Sequence, residues 1–343
     1  MLLLLLLLLL LACDTKTTSP DDTAPESLCG VDAQPVDYPL DDVLTLAHVQ
    51  AKGTHNSFHI EPDLLLDDSH EYTHAPLDVQ LAEQGVRQFE LDFHLREGGG
   101  FEIFHIPAID EETTCQQFVD CLALVKCWSD ASPGHLPVVF WLEPKDDVDE
   151  LVDDLVDMIG RYDELEAEIL SVWPRERILT PDEVRGAYDT LPEALAANGW
   201  PTLGALRGRV IFSLLDSGSH REHYLEGAEN LAGKLMFVDA DSPDDPWAAF
   251  LKVNDARSEE AAERIEQGFI ITSNSDGADS SDDENTEKLA DSLAAGAHFL
   301  SSDYPAPVEG RDFWFEMADG APARCNPVTA PAECTAEDIE ALP

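Results

Sequence analysis

The feature that most constrains the fold is an alternation of short apolar runs with helix-like stretches from about Val43 to Ser301. Leu44 to Ala51 leads into a first strand. Further strand candidates are Val86 to Phe93, Phe101 to His105, Val138 to Leu142, Val210 to Leu215, Lys234 to Val238, Phe269 to Thr272 and Phe299 to Ser301. Helices are expected at Leu77 to Gly85, Cys115 to Trp128, Asp146 to Ile159, Pro181 to Tyr188, Ser258 to Glu266 and Glu284 to Ala295. In Cys115 to Trp128 the apolar residues recur at i, i+3 and i+4, and in Asp146 to Ile159 they repeat on one face. Strands alternating with helices over this length pair in parallel through crossover helices. The economical closed form is a single TIM-type β/α barrel, and 343 residues with 44% hydrophobic content can bury one such core.

In such a barrel the chemistry gathers at the carboxyl ends of the strands. Reactive side chains stand at those places in this chain. His55 and Asn56 follow the first strand, Glu90 and Asp92 are two apart on one face of theirs, His105 ends the next, and Glu143 directly follows Leu142. Asn56, Glu90, Asp92 and Glu143 offer only oxygen ligands, which suits calcium rather than zinc. Glu90 is flanked by Phe89 and Leu91, and a buried carboxylate pair needs a cation or other partners. His55 and His105 supply proton donors and acceptors of the kind acid–base chemistry uses. A cation, an acid and a base are the parts that cut a phosphodiester. Lys145, two after Glu143, and Lys52, in the first strand, are cations that would hold a phosphate or a hydroxyl, or form ordinary ion pairs. Asp216 ends the Val210 strand, and Asp303 and Tyr304 end the last one. All three are candidates for hydroxyl recognition or capping. His94 would lie behind the carboxylate pair, and His135, in a Pro-Gly-His-Leu-Pro turn, reads as structural.

Gly53-Thr54-His55-Asn56-Ser57, Glu90-Leu91-Asp92, His105 to Asp110, Glu143-Pro144-Lys145 and Pro133 to Pro137 occur together along the first half. Gly296 to Tyr304 and Arg324-Cys325-Asn326-Pro327 extend the set near the end. Together they resemble the calcium-dependent phosphoinositide-specific phospholipase C family, in its bacterial secreted branch. The resemblance implies the barrel of the PLC-like phosphodiesterases, with Ca2+ held by Asn56, Glu90, Asp92 and Glu143. It implies that His55 stabilises a phosphorane-like transition state and that His105 protonates the diacylglycerol oxygen. The attacking inositol 2-hydroxyl would be activated by Glu90 or Glu143. The implied substrate is a phosphatidylinositol-type lipid at a membrane or micelle surface. A glycerophosphodiester or sphingomyelin phosphodiesterase on the same barrel is a second reading, and a catalytically degenerate, surface-anchored binding lipoprotein is a third.

The chain begins with Met1, a leucine run, Ala12 and Cys13. An apolar run this short is a signal-peptide core rather than a membrane span. Leu10-Leu11-Ala12-Cys13 resembles a bacterial lipobox, so residues 1–13 read as an export signal with Cys13 as a lipid anchor. Residues 14–41, rich in Thr, Ser, Pro and Asp, read as a flexible tether, and 42–343 as the barrel with a disulfide-linked tail. The expected location is the cell surface, the periplasm or the medium. Cys29, Cys115, Cys121, Cys127, Cys325 and Cys334 are an even set, consistent with three disulfides in an exported chain. Cys325 with Cys334 is the local pair. Two of Cys115, Cys121 and Cys127 would pair with each other, leaving the third for Cys29. The formal net charge of −50 excludes nucleic acid as a partner and opposes anionic membrane surfaces. Its simplest explanation is a solubility or high-salt adaptation of the exposed face, and the chain is expected to be a monomer.

Overall fold

The computed structural model describes residues 36–145 and 154–340. The leader, Cys13, Cys29 and the tether through residue 35 lie outside these, as do residues 146–153 of the helix expected over Asp146 to Ile159.

In chain order the strands are β1 (Val49–Thr54), β2 (Val86–Arg96), β3 (Phe101–Ile103), β4 (Val138–Pro144), β5 (Leu155–Val156), β6 (Val210–Leu214), β7 (Phe237–Val238), β8 (Phe250–Lys252), β9 (Ile270–Asn274), β10 (Phe299–Ser302) and β11 (Ala323–Cys325). Eight of them, β1, β2, β4, β6, β7, β8, β9 and β10, lie side by side in parallel, and β10 returns to pair with β1. The seam between β7 and β8 is held by one bridge, Asp239 with Phe250. This is the expected β/α barrel, nearly closed.

The helices are α1 (Leu77–Ala82), α2 (Phe118–Ala131), α3 (Tyr162–Val172), α4 (Pro181–Arg185), α5 (Leu191–Asn198), α6 (Leu203–Leu206), α7 (Ser219–Leu225), α8 (Glu259–Glu266), α9 (Asp282–Ala295) and α10 (Ala336–Ile339). The β7 to β8 crossover, residues 239–249, has no helix, which distorts the barrel on that side. No helix among the described residues is long and apolar enough to cross a membrane.

Strand alternation sorts the side chains. Phe89, Phe140 and Phe212 are in register on β2, β4 and β6, and neighbouring rings lie 5.6 and 5.0 Å apart. The alternate face carries Gln88, Glu90 and Trp141. Trp141 Nε1 donates to Thr272 Oγ1 on β9 at 3.0 Å. Since β4 and β9 are not neighbours, that bond crosses the lumen, so this face is the inside. A Cβ on Gly53 would stand 2.6 Å from Gln88 Oε1. Glycine there lets the β1 backbone pass under an interior side chain.

Two expectations need correction, and one strand was not expected. Phe101 to His105 is no barrel strand: β3 stops at Ile103 and folds back antiparallel on the outer end of β2. The Asp146 to Ile159 helix is overturned in its described part, because Leu155 and Val156 pair with Arg96 and Leu95 of β2. β2 outruns the barrel, and its projecting end needs partners on both edges. Finally, β8 is a barrel strand that the apolar pattern does not announce.

Cys115–Cys121 and Cys325–Cys334 are disulfides, and Cys127 is disulfide-bonded too. The tail is fixed by β11, antiparallel on β1, and by a buried ion pair from Arg87 to Glu340 at 2.6 Å.

Candidate active site

The chain leaves β1 through a tight turn. Asn56 adopts φ 40°, which asparagine tolerates better than most residues. Ser57 ties the turn to β2, its N–H donating to the Glu90 carbonyl and its Oγ accepting the Glu90 N–H, both at 2.8 Å. His55 and Asn56 are thereby fixed beside the inward carboxylates. They line one cleft of about 230 Å3 with Tyr72, His105, Glu143 and Lys145. Glu143 also lines an adjoining cleft of about 340 Å3 with Asp216, Asp239 and Lys252.

Three carboxylates meet where β4 ends beside the longer β2, with Asp92 and Glu143 in register. Glu90 is 1% exposed, and Lys252 Nζ donates to both its oxygens at 2.8 and 2.7 Å. Burial pushes the Glu90 carboxyl up, but Lys252 and His55 outweigh it and hold it below the usual range. Asp92 is fully buried, and neither oxygen has a hydrogen-bond donor. Lys145 Nζ stands 3.5 Å from it and gives its short bond, 2.6 Å, to Glu143. Burial, then the neighbouring Glu143 charge, raise the Asp92 carboxyl well above its ordinary value. Buried carboxylate oxygens without donors are the kind of group a cation would satisfy. Asn56 and the three carboxylates, all oxygen donors, fit calcium.

Each cleft histidine is held through Nδ1. His55 Nδ1 donates to Asp303 Oδ1 at 2.9 Å, and Asp303 Oδ2 accepts the Ala278 N–H. Burial opposes a charged His55, yet Asp303 and Glu90 carry it up to about 9. Behind Asp303, the buried Asp276 accepts its N–H at 2.8 Å. Burial and the Asp303 charge push Asp276 up to about 7. His105 Nδ1 donates to Asp110 Oδ2 at 2.8 Å. The same oxygen meets His59 Nε2 at 3.0 Å and His70 Nδ1 at 3.3 Å. Burial would raise Asp110, but the bonds from His105 and His59 drive it far below the usual carboxylate range. His59, His105 and Asp110 stand close enough to hold a metal. Their ligand atoms already bond one another, and His59 Nδ1 donates to the Tyr72 carbonyl. The oxygen set around Asp92 is the better cation site.

The structure thus brings His55, Asn56, Glu90, Asp92, His105, Glu143 and Lys145 to one mouth. His105 arrives from the β3 hairpin instead of a barrel strand. Lys52 does not join them: its Nζ donates to the carbonyls of Gln84 and Pro305, because the side chain leaves β1 on the outer face. Asp216 caps α7, accepting the N–H groups of Gly218 and Arg221, while lining the adjoining cleft. His94 stacks on Phe104 at 3.8 Å, and His135 bonds Ser129 within the core. Asp110 and Lys252 had no expected role. Asp110 closes the His105 to Asp110 stretch, and Lys252 ends the short run Ala248 to Leu251, so both signals were faint.

A family model described as phosphoinositide phospholipase C, Ca2+-dependent, matches residues 94–327. The chain belongs to this family. Among solved structures, a calcium-dependent phosphoinositol-specific phospholipase C from Pseudomonas sp. matches this chain with TM-score 0.59 and 18% identity, over 84% of this chain and 98% of that one. A Ca2+-dependent phosphatidylinositol-specific phospholipase C from Streptomyces antibioticus matches with TM-score 0.57 and 19% identity, over 77% and 96%. At these identities the likeness establishes the shared barrel. No curated protein matches at the sequence level. The matched span includes His105, Asp110, Glu143 and Lys252, while His55, Asn56, Glu90 and Asp92 precede it.

Proposed function

We propose that this phospholipase C cleaves phosphatidylinositol-type lipids to diacylglycerol and a cyclic inositol phosphate, with calcium held by Asn56, Glu90, Asp92 and Glu143. The observation that carries the reading is Asp92, buried with both oxygens lacking donors beside two further carboxylates. When bound, calcium would offset phosphate charge and acidify the attacking hydroxyl.

The chain's own groups supply the rest. Glu143 has a side chain 30% exposed and lines both clefts, so it is the better placed carboxylate to take the inositol 2-hydroxyl proton. Glu90 is clamped by Lys252. As the 2-oxygen bonds to phosphorus and the bond to the glycerol oxygen breaks, His105 Nε2 gives that oxygen a proton. Asp110 fixes the His105 ring through Nδ1. His55, kept protonated at neutral pH by Asp303, faces the same cleft and balances charge on the pentacoordinate phosphorus. Water then opens the cyclic product with the proton roles reversed.

Lys145 and Lys252 are both already paired with carboxylates. That favours an inositol without extra phosphates, as in phosphatidylinositol or its glycosylated forms. Exposed Leu64, Leu66, Ile109, Val308 and Trp314 sit on loops after β1, β3 and β10, on the side of the mouth. They suit contact with a lipid surface. Export, monomeric behaviour and an anchor at Cys13 belong to the same proposal.

The test is hydrolysis of phosphatidylinositol micelles with calcium and then with excess chelator. Calcium-dependent release of diacylglycerol with a cyclic inositol phosphate is expected. Turnover indifferent to chelator overturns the metal assignment, and absence of turnover overturns the lipid substrate.

A further inference from the structure

The two lysines of the site hold its carboxylates in different ways. Lys145 shares itself between Glu143 at 2.6 Å and Asp92 at 3.5 Å, and its side chain is about a quarter exposed. Lys252 reaches across the lumen from β8 to β2 and places its ammonium on both oxygens of Glu90, a residue with almost no solvent exposure. A calcium ion using Glu90 needs at least one of those oxygens. Two cations cannot take the same oxygen at full strength in so small a space. The backbone of Lys252 is pinned, its N–H donating to Asp239 Oδ1 at 2.8 Å. Only the side chain is therefore free to give way, and the cleft it lines, with Asp216, Asp239 and Glu143, offers room and other carboxylates.

We infer that Lys252 is a built-in competitor for calcium at Glu90, which sets the calcium affinity of the site and leaves Glu90 when the ion binds. This rests on the calcium reading above. The pair also has a structural task. Without metal, the ammonium keeps a buried carboxylate from standing unpaired, a state that is strongly destabilising. One residue would then hold the metal-free fold together and oppose metal loading.

The test is direct calcium titration of the full chain by calorimetry, with thermal melting in chelator and in calcium. Lys252→Met removes the ammonium and keeps most of the side chain's bulk. It should bind calcium at least tenfold more tightly than the parent. It should melt lower than the parent in chelator and regain that difference in calcium. Lys252→Arg keeps a cation with a forked hold on Glu90 and should bind calcium more weakly than the parent. That variant decides the matter should Lys252→Met fail to fold. Calcium affinity in the substituted protein equal to or weaker than the parent's for methionine, or unchanged for arginine, overturns the inference and leaves the calcium reading standing. Absence of calcium binding in the parent and both variants overturns both.

Discussion

Asp110 is the residue on which most of the proposed acid chemistry turns. Its Oδ2 receives His105, His59 and His70 together, so the carboxylate orients His105 while the cleft sees only the other ring nitrogen. Loss of the acid should cost about 10²–10⁴ in turnover. His105→Ala should therefore fall to that extent while folding and calcium binding persist; near-normal hydrolysis of phosphatidylinositol by this variant excludes His105 as the acid. Asp276 gives a pH prediction at the same scale. Its folded pKa is raised to about 7, from an ordinary value of 3.8, by burial and Asp303. Between those values the folded state holds more protons than the unfolded one, so this group's contribution to stability is greatest at acid pH and is lost as pH rises through about 7. Asp276→Asn is isosteric and uncharged. Its stability relative to the parent should rise by about 2–4 kcal/mol between pH 4 and pH 8, since each tenfold difference in proton affinity between the folded and unfolded states is worth about 1.4 kcal/mol. Parallel denaturation curves for the two proteins across that range would reject it.

At the scale of elements, β1 shows how a reactive motif doubles as a packing device. Gly53 leads Gly53-Thr54-His55-Asn56-Ser57, and its backbone passes within Cβ reach of Gln88. Gln88 in turn bonds the Thr54 carbonyl and Ser301. Gly53→Ala forces that side chain aside and should cost about 1–3 kcal/mol, read by urea denaturation. A neutral result would mean the β1–β2 interior has slack. The same elements show what was legible in the sequence. β4 was readable because an unbroken apolar run, Val138 to Leu142, ends in Glu143, and β2 because Phe89, Leu91 and Phe93 alternate with Glu90 and Asp92; the structure brings these three carboxylates together at the mouth. β8 is three residues long, and its lysine looked like any strand-end cation, so the partner of Glu90 was missed. Lys52 misled for the opposite reason. It stands in a motif-bearing strand, but side chains alternate across a strand, and its neighbours Thr54 and Gly53 did not reveal which side it takes. In its described part the Asp146 to Ile159 pattern failed because Leu155 and Val156 answer the unpaired edge of the projecting β2, a demand made by tertiary structure that no local period records.

For the molecule as a whole, the formal net charge of −50 meets a proposed substrate that is itself anionic. With 70 acidic and 20 basic side chains, long-range electrostatics work against encounter with an anionic surface. The two lysines at the mouth, Lys145 and Lys252, are neutralised by their own carboxylates. On the proposed reading, attraction must then come from short-range sources: the apolar residues of the rim and a calcium ion at Asp92. Salt screens the repulsion and leaves those sources largely intact, because the Debye length falls from about 30 Å at 0.01 M to about 8 Å at 0.15 M. Raising monovalent salt over that range at fixed free calcium should therefore increase hydrolysis of phosphatidylinositol in anionic vesicles, by several-fold in the regime limited by binding. The same change should have little effect when the substrate is diluted in zwitterionic vesicles. Vesicle co-sedimentation alongside turnover separates binding from chemistry. A fall in both with salt would mean that a local cationic patch, and not the apolar rim, brings the barrel mouth to the lipid.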